Sequence, residues 1–66
     1  MKNGYIALQF GNATLPVVVL KSAAGFYLGT TQNGVPFTRE SQEYFPSQEA
    51  AEAALQSGNW TQREFP

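Results

Sequence analysis

The sequence predicts a single α+β domain over residues 1–66: an antiparallel sheet of four to five short strands in two consecutive hairpins, with one C-terminal alanine-rich helix on one face. Three observations predict it. Apolar residues alternate over residues 4–10, Asn33-Gly34 separates two strand-like runs, and helix-ending residues bracket "QEAAEAALQS".

In "GYIALQF", Ile6, Leu8 and Phe10 form a uniformly apolar set that alternates with Tyr5, Ala7 and Gln9. That period of two assigns a first strand with one core face. "GNAT" then turns the chain, and "LPVVVLK" at 15–21 favours a second strand, because valines are stiff at χ1 and fit a pleated surface. Pro16 falls at its start, where a missing N–H is tolerated. These two segments are expected to pair as the first hairpin.

"SAAG" breaks the run, "FYLGTT" resumes it, and Asn33-Gly34 leads into "VPFTRE". Asn-Gly between such runs signals a type I′ hairpin. A two-residue loop sets Gln32 opposite Val35, Thr31 opposite Pro36, Thr30 opposite Phe37 and Leu28 opposite Arg39. Pro36 then lies in a pair that shares no hydrogen bonds, where proline costs nothing. This register puts Phe26, Leu28, Val35 and Phe37 on a core face, with Tyr27, Gly29 and Thr38 on the other. Gly29 inside a strand marks a bulge or a ring packed over it.

Pro46 disfavours helix at Phe45, and Ser47 is a good N-cap with Glu49 in the first turn. The helix is expected over 48–57, with Gly58 in the left-handed position that ends it. Ala51, Ala54 and Leu55 share its apolar stripe. Phe45 is expected in the core, stapling strand to helix. "NWTQREF" is expected to be a short final strand or a tail anchored by Trp60 and Phe65.

A chain of 66 residues buries only about 60% of its unfolded surface, so its stability is marginal without help. With no Cys, disulfides, thiolate metal sites and thiol chemistry are excluded, and with no His or Asp either, metal binding would rest on five glutamates that form no cluster. No cofactor is expected, and self-association is the remaining means of support. Serine or threonine nucleophiles lack a histidine base. Glu40 and Glu43, three apart in an extended stretch, should point to opposite faces and so form no carboxylate pair. An enzyme is therefore not expected. Four basic residues against five acidic ones give no electrostatic drive to phosphate or membrane. No apolar run reaches the roughly 20 residues of a membrane span, and the first residues lack a signal-peptide pattern, so a cytoplasmic location is the default.

The run "LPVVVL" is apolar on both faces: Leu15, Val17 and Val19 point one way, Val18 and Leu20 the other. One short helix cannot cover both. Barrel closure, the Trp60 segment or a second copy could, and the copy makes Leu15, Val17 and Val19 candidate self-association residues. The expected function is thus a small, non-enzymatic protein-binding accessory protein, acting as a homodimer on a protein partner of unknown identity. Size alone suits a bacterial or phage factor. Tyr27, Thr38, Arg39, Glu40 and Tyr44, beside the Pro36 edge, are the candidate partner-binding residues, since exposed Tyr and Arg anchor interfaces. The alternative is a single-stranded nucleic-acid binder that stacks bases on Tyr5 and Tyr27 among Lys2, Lys21, Arg39 and Arg63.

Overall fold

The computed structural model describes residues 2–66. In order, the described elements are helix α1 (Tyr5–Gly11), strands β1 (Val18–Ser22), β2 (Gly25–Gln32) and β3 (Val35–Arg39), and helix α2 (Gln48–Ser57). The sheet is antiparallel with order β1-β2-β3. The α+β class stands, but the sheet has three strands among the described residues rather than four to five, and two helices rather than one.

The segment expected to be the first strand is α1. Its burial does not alternate: neighbours Ile6 and Ala7 are buried, while Leu8 and Phe10 are exposed. Two causes favour the helix. Ala7, Leu8 and Gln9 are good or acceptable helix formers, and Asn12 ends the helix in the left-handed region at φ 52°. The Ala13 N–H closes this end by donating to the Ala7 carbonyl at 3.0 Å. The second cause is a distant carboxylate at the other end, described below. Of the expected first hairpin only a fragment forms: Asn3 bridges Pro16, flanked by Gly4 N–H to Leu15 O (2.8 Å) and Val17 N–H to Lys2 O (2.9 Å).

β1 and β2 form a tight hairpin through Ala23-Ala24, where the Ser22 hydroxyl accepts the Ala24 N–H and donates to Gly25 O. The β2–β3 hairpin turns at Asn33 (φ 56°) and Gly34 (φ 80°), as the Asn-Gly signal requires. Gln32 faces Val35 and Thr31 faces Pro36 as expected, but the register then shifts: Thr30 faces Thr38 and Gly29 faces Arg39. Phe37 is the extra residue of a bulge. Its ring lies over Gly11 of α1 instead of entering the core, and Thr38 turns inward in its place.

α2 forms over the expected residues. The Ser47 Oγ accepts the Ala50 N–H at 3.1 Å, and Gly58 closes the helix at φ 76° with its N–H on Ala54 O. Its buried face is Ala51 and Ala54. Small side chains let it lie close to β1 and β2, over a core of Val17, Leu28 and Ala51 with Val19, Phe26, Phe45, Leu55 and Trp60 packed around it. Trp60 and α2 therefore cover the Val17/Val19 side of β1. The C-terminal segment runs beside the chain after β3, with Gln42 N–H to Thr61 O and Arg63 N–H to Glu40 O around a Ser41–Gln62 bridge. This is the ordered tail, although Phe65 remains exposed.

Candidate functional site

Around the end of β3 the chain sends Thr38, Glu40 and Phe45 inward and Arg39 and Tyr44 to the outer side of the sheet. Glu40 goes inward and is wholly buried. Its Oε1 accepts the Ile6 N–H (2.9 Å) and the Gln62 Nε2–H (2.7 Å); its Oε2 accepts the Ala7 N–H (3.1 Å) and the Thr38 hydroxyl (2.7 Å). Thr38 has one proton and gives it to the carboxylate, so the Thr30 hydroxyl, 2.6 Å away, is the donor to Thr38. Glu40 thus does for α1 what an N-cap side chain does, from 34 residues away. Gly4, the N-cap residue itself, has no side chain for the task, and a Cβ there would come within 2.6 Å of Oε2.

Burial by itself pushes the Glu40 carboxyl up. The hydrogen bonds from Ile6, Thr38, Gln62 and Ala7 together outweigh it and hold the group below the ordinary value of 4.5. Glu43 moves the same way: burial pushes it up, and hydrogen bonding from Thr61 with the nearby Arg39 charge together outweigh that. A folded-state value below the unfolded one means that the ionised carboxylates stabilise the fold at neutral pH. That contribution is lost as pH falls below 4.5 and through the folded value. The melting temperature is expected to hold from neutral pH to about 5 and then drop, with a steeper acid limb than in Glu40→Gln. Equal slopes in the two proteins would show that Glu40 does not carry the acid sensitivity.

Arg39 goes to the outer side. Its Nε donates to Ser41 O (2.8 Å), one terminal nitrogen to the Tyr44 hydroxyl (3.0 Å) and the other to Gln42 O, while the guanidinium lies 4.2 Å over the Tyr44 ring. Tyr44 meets Tyr27 edge-on, with centroids 6.0 Å apart. Leu20 and Tyr27 both close over Gly29. With Val18, on the same side of β1 as Leu20, they make an outer face of aliphatic and tyrosine surface around one arginine. β1 is an edge strand of the sheet, so this face ends at an unpaired edge.

Compared with known protein families, curated proteins and solved structures, the chain matches none. Of the five candidate partner-binding residues, Tyr27, Arg39 and Tyr44 meet on the outer face. Thr38 and Glu40 belong to the internal network, which corrects the expectation that they are surface groups; the bulge at Phe37 turns both inward, and the N–H groups of α1 hold Glu40 there. Leu20 and Val18 join the outer face without having been singled out. Of the self-association candidates, Val17 is buried in the core, Val19 packs against it and Leu15 is half-buried. An intramolecular cover thus occupies the surface expected to take a second copy.

A groove of about 910 Å³ runs between α2 and β1, lined by Val17, Val19, Leu55 and Trp60, with Lys2 and Glu52 as its charged residues. Lys2 lies 4.7 Å over the Trp60 ring. Among the described residues no His, Cys, Asp or Glu cluster could hold a metal, and no helix is long and apolar enough to cross a membrane.

Proposed function

We propose that this protein is a non-enzymatic, protein-binding accessory domain that works as a homodimer and presents the outer sheet face to a protein partner. The observation that carries the reading is the convergence of Tyr27, Tyr44, Arg39, Leu20 and Val18 on the side of the sheet away from α2, next to an open strand edge. Tyrosine and arginine in a largely apolar surround are the groups that anchor interfaces, because they bring large contact area together with hydrogen-bond donors. Arg39 and Tyr44 hold each other in place, so part of the ordering is complete before a partner arrives.

Single-stranded nucleic acid is the weaker reading. Tyr5 sits on α1 rather than on a strand, so it shares no sheet face with Tyr27. Lys2 lies over Trp60, Lys21 over Phe26 and Arg39 over Tyr44, which spreads the cations over separate parts of the surface.

Replacing Tyr27 or Tyr44 by Ala, in protein shown folded by circular dichroism, is expected to weaken capture of the native partner by about tenfold or more. Retention of every partner by both folded variants would remove the outer face as the binding surface.

A further inference from the structure

We infer that the protein partner adds to the free edge of β1 as an extended antiparallel strand, with an apolar residue opposite Val19 and an acidic residue opposite Lys21; this rests on the proposed protein-binding function and deepens it. In β2, Phe26 bonds its N–H and C=O to Phe45, and Leu28 bonds its own to Ser41 and Glu40, all on the side away from β1. Their cross-strand neighbours Lys21 and Val19 therefore share no hydrogen bonds with them, and the N–H and C=O groups of both face out from the edge. Val17, two residues earlier, faces the same way: its N–H donates to Lys2 O at 2.9 Å. This edge thus already seats one extended segment, since Asn3 pairs antiparallel with Pro16. Past that segment, no backbone group among the described residues bonds to Val19 or Lys21. Two donors and two acceptors in a row are what another extended backbone satisfies.

The neighbouring side chains set what that backbone carries. Val19 and Lys21 point to the α2 side, where Val19 packs on the core and the exposed Lys21 lies 5.6 Å over the Phe26 ring. A strand residue opposite Val19 drops its side chain into the groove beside Leu55 and Trp60. Val17, Val18 and Val19 line that groove in succession, so it reaches the strand edge. An acid opposite Lys21 makes the cross-strand pair that stabilises. Lys2 adds positive charge at the groove, whereas Glu52, its acid, is held by Gln48 at 2.8 Å. The alternate residues of the added strand fall on the outer face, beside Leu20 and Tyr27. A second copy fits this edge poorly. Any two-fold register that brings β1 opposite Val17 meets an N–H already bonded to Lys2. Setting Lys21 opposite Val19 puts a lysine into the groove that holds Lys2, and setting Lys21 opposite itself opposes like charges.

Selection of phage-displayed random decapeptides on the folded native chain and on Lys21→Glu tests the pairing. The native chain is expected to enrich an acid two residues before an apolar residue. Lys21→Glu should enrich lysine or arginine in the acid's place. N-methylation of an enriched synthetic peptide at its apolar residue, whose N–H faces the Val19 carbonyl, should weaken binding about tenfold or more. No enriched pattern, a pattern unchanged on Lys21→Glu, or full binding of the N-methylated peptide overturns the strand addition. So does a chain that self-associates and becomes monomeric in Lys21→Pro, which gives the edge to a second copy. If folded Tyr27→Ala loses the native partner but the enriched peptide does not compete for it, the strand addition falls and the protein-binding function stands. If neither affects capture, both fall.

Discussion

Glu40→Ala is expected to leave most of the protein unfolded at room temperature. The substitution strands the Ile6 and Ala7 N–H groups, the Thr38 hydroxyl and the Gln62 amide, all of which now donate to one buried carboxylate. A buried donor without an acceptor costs about 1–3 kcal/mol, partly recovered where water enters, so a combined loss of about 3–5 kcal/mol is expected. A domain of this size holds only about that much in total. The loss would not stay local, because Glu40 joins α1, β3 and the tail in one network, and the Glu40 carbonyl also accepts from Arg63 N–H. Glu40→Gln separates shape from charge. It fills the same space, but its amide nitrogen must face donors on one side, and a loss of about 1–2 kcal/mol is expected. Urea titration followed by Trp60 fluorescence measures both. A Glu40→Ala protein within about 1 kcal/mol of the native chain would show that the carboxylate is incidental to the fold.

Glu40 also shows where sequence reasoning stops. The features that were legible are those whose cause lies within a few residues. Asn33 and Gly34 adopt positive φ because asparagine tolerates the left-handed region and glycine has no Cβ to oppose it, and α2 is framed by Ser47 and Gly58, each bonding within its own turn. The helix α1 has its cap in a residue 34 positions away, so the local alternation of Ile6, Leu8 and Phe10 was the stronger signal and pointed to a strand. A weaker signal was present: Gly4 is an admissible N-cap, followed by a run of helix formers. The register of β3 failed for a related reason. Nothing between Val35 and Arg39 announces that Phe37 will be drawn over Gly11, and once it is, every later side chain changes face. Thr38 and Glu40 thereby exchanged a surface role for an internal one. Tyr27, Arg39 and Tyr44 still met on the outer face, although Arg39 had been paired one residue away from its actual partner.

Gly29→Ala is expected to lose about 3 kcal/mol or more, although Gly29 is not among the residues with positive φ. A Cβ at this position would fall well inside the van der Waals radius of the Thr38 carbonyl oxygen, and 3.1 and 3.2 Å from Tyr27 Cε2 and Leu20 Cδ1. The side chains could yield a few tenths of an ångström. The carbonyl cannot, because it belongs to the strand paired beside Gly29, and moving it opens β2 from β3 next to the bulge that sets the register. Gly34→Ala is the control. Gly34 sits at φ 80° with nothing within 4 Å of an added Cβ, so its substitution carries only the left-handed penalty of about 1–2 kcal/mol. Denaturation should rank Gly29→Ala well below Gly34→Ala; equal losses would mean that close approach is not what requires glycine in β2. The same substitution bears on function. Leu20 and Tyr27 reach across the sheet only because Gly29 leaves room beneath them. Forcing them apart should reduce partner capture in any Gly29→Ala protein that still folds, through a residue with no side chain to offer a partner.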